Sequence, residues 1–203
     1  MLSLAANRDT MAMTVWPVAG DDRPAARIIR NVVLAVVGSL LLWASAKIHV
    51  PFYPVPMTMQ TFVILALGMA YGWRLGAATV LLYLGEGAMG LPVFSGSPEL
   101  GLGLAYMAGG TGGYLFGFVL ATAACGWLAE RGWDRNVVAT ALAMLIGNVL
   151  IYIPGLLWLG ALFGWDKPIL EWGLTPFILG DVTKVALAAV ALPLAWRVIS
   201  PRR

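Results

Sequence analysis

The chain has 203 residues, of which 60% are of hydrophobic types and only 11% are charged. A soluble domain of this size carries about 25% charged and about 45–50% apolar residues, so this excess belongs in a bilayer. One cysteine and one histidine, with a net charge of +3, exclude a disulfide framework and most metal or acid–base constellations; no catalytic residue, metal or cofactor is expected, and the basic residues, set between apolar runs, read as topology rather than nucleic-acid binding.

Residues 1–26 are broken by Arg8, Asp9, Asp21, Asp22, Arg23 and Pro24 and read as a cytoplasmic tail. A secretory signal would need an uninterrupted apolar stretch. Residues 27–203 read as one membrane domain. Its first apolar run covers about 29–48, after which Pro51, Pro54 and Pro56 remove backbone donors and predict an extended loop. Runs at about 59–73 and 75–90 are separated by the break around Arg74 and are short for full spans. The Gly-rich stretch 91–110, with Phe94, Leu100, Leu104 and Tyr106, predicts a packed loop. Further runs cover about 112–129, 137–162 and 174–197, with a polar loop around Asp166, Lys167 and Glu171 between the last two. The expected fold is an all-α integral membrane protein, a compact bundle of six transmembrane helices.

Six spans place both termini on one side. Arg8, Arg23, Arg27, Arg30, Arg74, Arg131, Arg135, Arg197, Arg202 and Arg203 all fall at one set of helix ends, so the positive-inside rule makes both termini cytoplasmic. Trp158, Trp165 and Trp172 gather at the opposite ends, as an aromatic belt or as a stacking surface for a ligand.

Charges inside a span cost about 2.5–3.5 kcal/mol each on insertion scales. Asp181 and Lys184, in FILGDVTKVAL, are three apart on one helical face, about 10 Å below the outer end of the last helix. They either neutralise each other structurally or present an acceptor beside a donor, a match for the N–H and C=O edge of a ureido or lactam ring. Gln60, Tyr83, Glu86, Thr111, Tyr114 and Tyr152 fall at similar outer depth, with Asn148 one turn deeper. Together they predict an outward-facing binding cavity. The amides of Thr111, Gly112 and Gly113 at a helix start could receive an anion, although Gly113 and Gly117 also fit close helix packing. No GxxxxGK[ST] segment occurs, so the chain has no P-loop of its own.

The segments PVPMTMQTF (54–62), LLYLGEGAMGLPVF (81–94), GGTGGYLFGF (109–118), GNVLIYIPGLLWL (147–159) and GDVTK (180–184), in this order, resemble the BioY family, the biotin-specific S components of energy-coupling factor (ECF) transporters. The resemblance implies a six-helix substrate-binding subunit in the cytoplasmic membrane that partners a transmembrane coupling subunit and two cytosolic ATPases. It also implies that Asp181 and Lys184 hold the ureido ring of biotin. Gly110 stands where relatives commonly carry proline, and no outer-face arginine is available for the ligand's carboxylate, which leaves loop amides or Lys47. Ala35, Gly38 and Ser39 form a small-residue face on the first helix; this face either docks the coupling subunit, as the resemblance favours, or packs within the bundle. An S component for another small vitamin and an intramembrane enzyme are the alternatives.

Overall fold

The computed structural model describes residues 10–18, 24–50 and 53–199. Among the sequence features above, Arg8, Asp9, Asp21, Asp22, Arg23, Pro51, Arg202 and Arg203 lie outside the described residues. A short helix α1 (Met11–Val15) precedes α2 (Pro24–Lys47). Thr10 and Met11 are buried, and the Arg30 guanidinium donates to the Trp16 carbonyl at 3.3 Å, so this part of the tail is docked on the bundle. The helix α2 starts ahead of the apolar run because Arg27 and Arg30, good helix formers, continue it toward Pro24.

The proline-rich loop is pinned at its ends by a two-residue antiparallel ladder, β1 (His49–Val50) with β2 (Met57–Thr58), in which His49 pairs with Thr58 and Val50 with Met57. Helices α3 (Gln60–Tyr71) and α4 (Trp73–Ala88) follow. They are split at Gly72, whose φ of +80° suits glycine and whose missing Cβ would lie 2.6 Å from Glu130 Oε1. That same carboxylate accepts the Trp73 amide at 3.2 Å, capping α4. The 91–110 loop contains a short helix α5 (Gly103–Met107).

The helix α6 (Gly112–Ala129) runs closely along α7 (Val137–Phe163). A Cβ at Gly113 would fall 2.3 Å from the Pro154 carbonyl oxygen, and one at Gly117 2.8 Å from Ile151 Cα, so these glycines let the two backbones meet. At its start α7 is capped by Asn136, whose Oδ1 accepts the amides of Val138 and Ala139. The polar loop after α7 carries α8 (Ile169–Gly173), and Pro176 in a 3-10 turn (Thr175–Phe177) delays the start of α9 (Ile178–Ile199) to four residues past the expected 174.

Among the described residues, four segments are long and apolar enough to cross a membrane: Pro24–Lys47, Gly112–Ala129, Val137–Phe163 and Ile169–Ile199. With 12 and 16 residues, α3 and α4 reach only about 18 and 24 Å at 1.5 Å per residue, less than the ~30 Å hydrocarbon core. Val32, Val33, Val36, Leu40, Leu145, Val149, Val182 and Val190 are exposed on the outside, as a lipid-facing surface requires, whereas Leu42, Ile64, Met69, Met144 and Leu159 are fully buried.

Candidate functional site

One cavity brings together the ends of α3, α6 and α9, the upper half of α7 and two loops. Val55, Pro56, Thr58, Phe94, Phe118 and Phe177 supply much of its apolar wall, and Gln60, Thr61, Ser95, Thr111, Tyr152 and the Asp181/Lys184 pair bring polar groups to it. Asp181 sits in the first turn of α9, where the helix dipole favours a carboxylate. Both charged groups are largely sealed from solvent, at 6% and 8% exposure.

The Lys184 ammonium donates to Asp181 Oδ1 at 3.0 Å and to Thr61 Oγ1 at 2.8 Å. The Thr61 hydroxyl in turn donates to Asp181 Oδ1 at 3.3 Å, and the Tyr152 hydroxyl donates to Oδ2. The pair therefore ties α9 to both α3 and α7. Tyr152 meets the ring of Tyr114 edge to face at 6.2 Å, and the Tyr114 hydroxyl donates to the Gly173 carbonyl at 2.8 Å.

The loop side is equally fixed. Gln60 Nε2 donates to Tyr83 Oη at 2.7 Å, and the Tyr83 hydroxyl donates to the Val93 carbonyl at 2.9 Å. The Tyr106 hydroxyl donates to the Ser95 carbonyl at 2.7 Å, and its ring stacks on Phe94 at 4.8 Å; burial pushes its phenol pKa up. Glycine at 87 makes room for this loop, because a Cβ there would overlap Phe94 Cζ at 2.0 Å.

Of the residues expected at a ligand site, Gln60, Thr111, Tyr114, Tyr152, Asp181 and Lys184 line this cavity. Tyr83 stands behind it as a support. Glu86 is not among its lining residues: its carboxylate accepts the Ser39 hydroxyl of α2, because a position along α4 does not give rotation about its axis. Asn148 is buried outside the cavity lining with Oδ1 unpartnered. Gly112 and Gly113 lie against Trp158, away from the cavity. Lys47 is also engaged, donating to the carbonyls of Phe94 (3.1 Å) and Ser97 (3.0 Å). Phe94 was expected only to pack its loop, and Thr61 and Ser95 were not singled out from sequence; a threonine between Gln60 and Phe62 and a loop serine carry no periodic signal.

The small face of α2 turns inward. Gly38 and Ser39 are buried, and a Cβ at Gly38 would lie 2.5 Å from Thr79 Cγ2 of α4. Ala35 is half-buried. The tryptophans anchor helix ends: Trp158 Nε1 donates to the Gly109 carbonyl at 2.8 Å, Trp165 covers Gly160 and Trp172 meets Phe163 edge to face at 6.0 Å. Among the described residues no cluster of three or more His, Cys, Asp or Glu side chains could hold a metal.

Comparison with known proteins agrees with this architecture. Residues 11–201 match the family model described as the BioY family. The chain belongs to the BioY family. It is 35% identical over 161 residues to a probable biotin transporter BioY of Pyrococcus horikoshii, covering 79% of this chain and 93% of that relative. Against the biotin transporter BioY of Thermotoga maritima it is 32% identical, covering 80% and 93%. For the one from Rhodobacter capsulatus the figures are 36%, 79% and 90%. A crystal structure of the S-component for biotin from an ECF-type ABC transporter superposes with a TM-score of 0.70 at 22% identity, covering 84% of this chain and 92% of that one. The fold of that S-component is therefore shared despite low identity, and the family match extends beyond the segments between 54 and 184 that carry the sequence resemblance to include α1.

Proposed function

We propose that this chain takes up biotin across the cytoplasmic membrane as the substrate-binding S component of an ECF transporter, working with a transmembrane coupling subunit and two ATPase subunits that supply the energy it cannot harvest itself. The observation that carries the ligand assignment is the Asp181/Lys184 pair inside an otherwise largely apolar cavity. A carboxylate offers about four acceptor sites and an ammonium three protons. Asp181 receives bonds from Lys184, Thr61 and Tyr152, and Lys184 spends protons on Asp181 and Thr61, so one acceptor site and one donor remain. A cyclic urea presents an N–H beside a C=O and satisfies both at once, while the cavity's apolar walls cover the rest of the ligand. The ion pair is neutral overall in the absence of ligand.

In this reading α2, α3, α4, α6, α7 and α9 are six spans, with both termini cytoplasmic and the 91–110 loop outside. Support comes from the arginines at one set of ends, three of which lie over tryptophan rings at the expected interface: Arg74 over Trp73 (5.1 Å), Arg131 over Trp127 (3.3 Å) and Arg135 over Trp196 (4.5 Å). The cavity then lies in the outer half of the bundle. The inward turn of Gly38 and Ser39 favours an internal role for that face, so coupling-subunit docking is assigned to the lipid-exposed side of α2, where Val32, Val36 and Leu40 project.

Titration of the purified chain with biotin, riboflavin and thiamine tests the assignment. Biotin is expected to bind far more tightly than the other two; equal binding of the three would leave the family fold but remove the substrate.

A further inference from the structure

Ser95 is the one cavity-lining residue, among those described, whose buried side chain has no hydrogen-bond partner. It is 2% exposed, so bulk water does not compensate it, and a buried hydroxyl left unpaired is destabilising. The carbonyls around it are engaged by other side chains. The Val93 carbonyl is taken by Tyr83, the Phe94 carbonyl by both Lys47 and Ser97, the Ser95 carbonyl by Tyr106 and the Ser97 carbonyl by Lys47. The loop is thus held by side chains bonded to its carbonyls, and the Ser95 hydroxyl, unpartnered within the protein, is left at the cavity wall with a proton to donate.

We infer that Ser95 donates its hydroxyl to the carboxylate of the bound ligand, a specificity contact that rests on the biotin reading of the cavity. Once the ureido group is held at Asp181 and Lys184, the carboxylate is the strong acceptor left on the molecule. The electrostatics agree: the Lys47 ammonium, bonded to the carbonyls of Phe94 and Ser97 on either side of Ser95, brings positive charge to this loop without itself being free to bind. Lys47 therefore acts as a positioning residue, and Ser95 makes the contact. A hydroxyl on a preorganised loop takes the place of the absent guanidinium clamp.

The test compares biotin with biotinol, in which the carboxylate is replaced by a neutral alcohol, on the full chain and on Ser95→Ala. Hydrogen bonds to charged groups contribute about 1.5–3 kcal/mol, so the substitution is expected to weaken biotin about 10- to 150-fold and biotinol distinctly less, bringing the two affinities together. Ser97→Ala loosens the same loop without removing the contact and is expected to affect both ligands alike. If Ser95→Ala weakened both ligands equally, or neither, the inference would be overturned. The comparison uses a ratio of affinities, so a smaller folded fraction does not blur it. Failure of the unsubstituted chain to bind biotin would instead remove the reading of the site, and this contact with it.

Discussion

The Lys184 ammonium lies 3.0 Å from Asp181 Oδ1, one helical turn along the same face of α9, with both residues under 10% exposed. A pair this buried contributes little net stability, because desolvation offsets attraction, yet breaking it from one side leaves an uncompensated charge. Asp181→Asn keeps the shape and an acceptor. It is expected to weaken biotin binding by about 2–5 kcal/mol while the protein still purifies as a single species, as equilibrium titration and size-exclusion chromatography would show. Normal binding would mean that the pair only stitches α9 to its neighbours. Lys184→Met should lose binding similarly, with poorer folding because Asp181 is left buried and unpaired.

Thr61 is the bridge that sequence gave no reason to choose. Its hydroxyl accepts from Lys184 and donates to Asp181, so it fixes where the remaining donor and acceptor point. Thr61→Val is nearly isosteric and is expected to lower biotin affinity by about 0.5–1.5 kcal/mol with little effect on heat stability. An unchanged Kd would show that the geometry of the pair is set by Tyr152 and α9 alone.

Much of this was legible in the sequence, and the losses share a cause. Helix existence followed from apolar runs, and the ends of α6 agree with the expected 112–129. Charges at 181 and 184 were conspicuous in an apolar segment, and depth from the topology brought Gln60, Tyr114 and Tyr152 to the same level. Depth does not give rotation about the helix axis, however. Glu86 and Tyr83 are neighbours along α4, yet one bonds to Ser39 on α2 and the other to Gln60 on α3. Residues such as Phe94 and Ser95 arrive through a loop whose path is set by Lys47, Tyr83 and Tyr106, distant in sequence, and no local pattern records that. The small-residue face of α2 was compatible with either an internal or an external partner, and the approach of Gly38 to Thr79 and the Ser39–Glu86 bond favour the internal one.

That contact gives a direct test. Gly38→Leu forces a side chain where even a Cβ would be 2.5 Å from Thr79 Cγ2. It is expected to destabilise the isolated chain by about 1–3 kcal/mol or more, read as a lower unfolding temperature in detergent. A fully stable variant that failed only to copurify with a coupling subunit would return the face to docking.

Asp134, in the 3-10 turn between α6 and α7, is 1% exposed; its Oδ2 accepts the Trp196 indole proton and its Oδ1 has no partner. Burial raises its pKa above the ordinary 3.8, against the opposing effects of the Trp196 hydrogen bond and the charge of Arg135. The folded state therefore holds this proton more tightly than the unfolded state. Stability falls as pH rises from 3.8 through the folded-state pKa and levels off above it. Asp134→Asn cannot titrate and is expected to flatten that part of the curve, measured as unfolding temperature from acidic to neutral pH. A variant with the same slope as the unsubstituted chain would place the titration elsewhere.

Topology is open to cysteine labelling. Cys125 is fully buried on α6, and in a Cys125→Ala background Glu99→Cys is expected to react with an impermeant reagent added outside. Reaction only from the cytoplasmic side would invert the orientation and place the cavity facing inward.

The central claim, capture of biotin through its ureido ring by Asp181 and Lys184, is tested most directly by titrating the purified chain with biotin and with 2′-iminobiotin, where an imino nitrogen replaces the ureido oxygen. The account predicts tight binding of biotin and a loss of about 1.5–3 kcal/mol or more for the imino compound at neutral pH, where its guanidine-type group is protonated and sets a cation with no acceptor against the Lys184 ammonium. Equal affinity for the two ligands would contradict it.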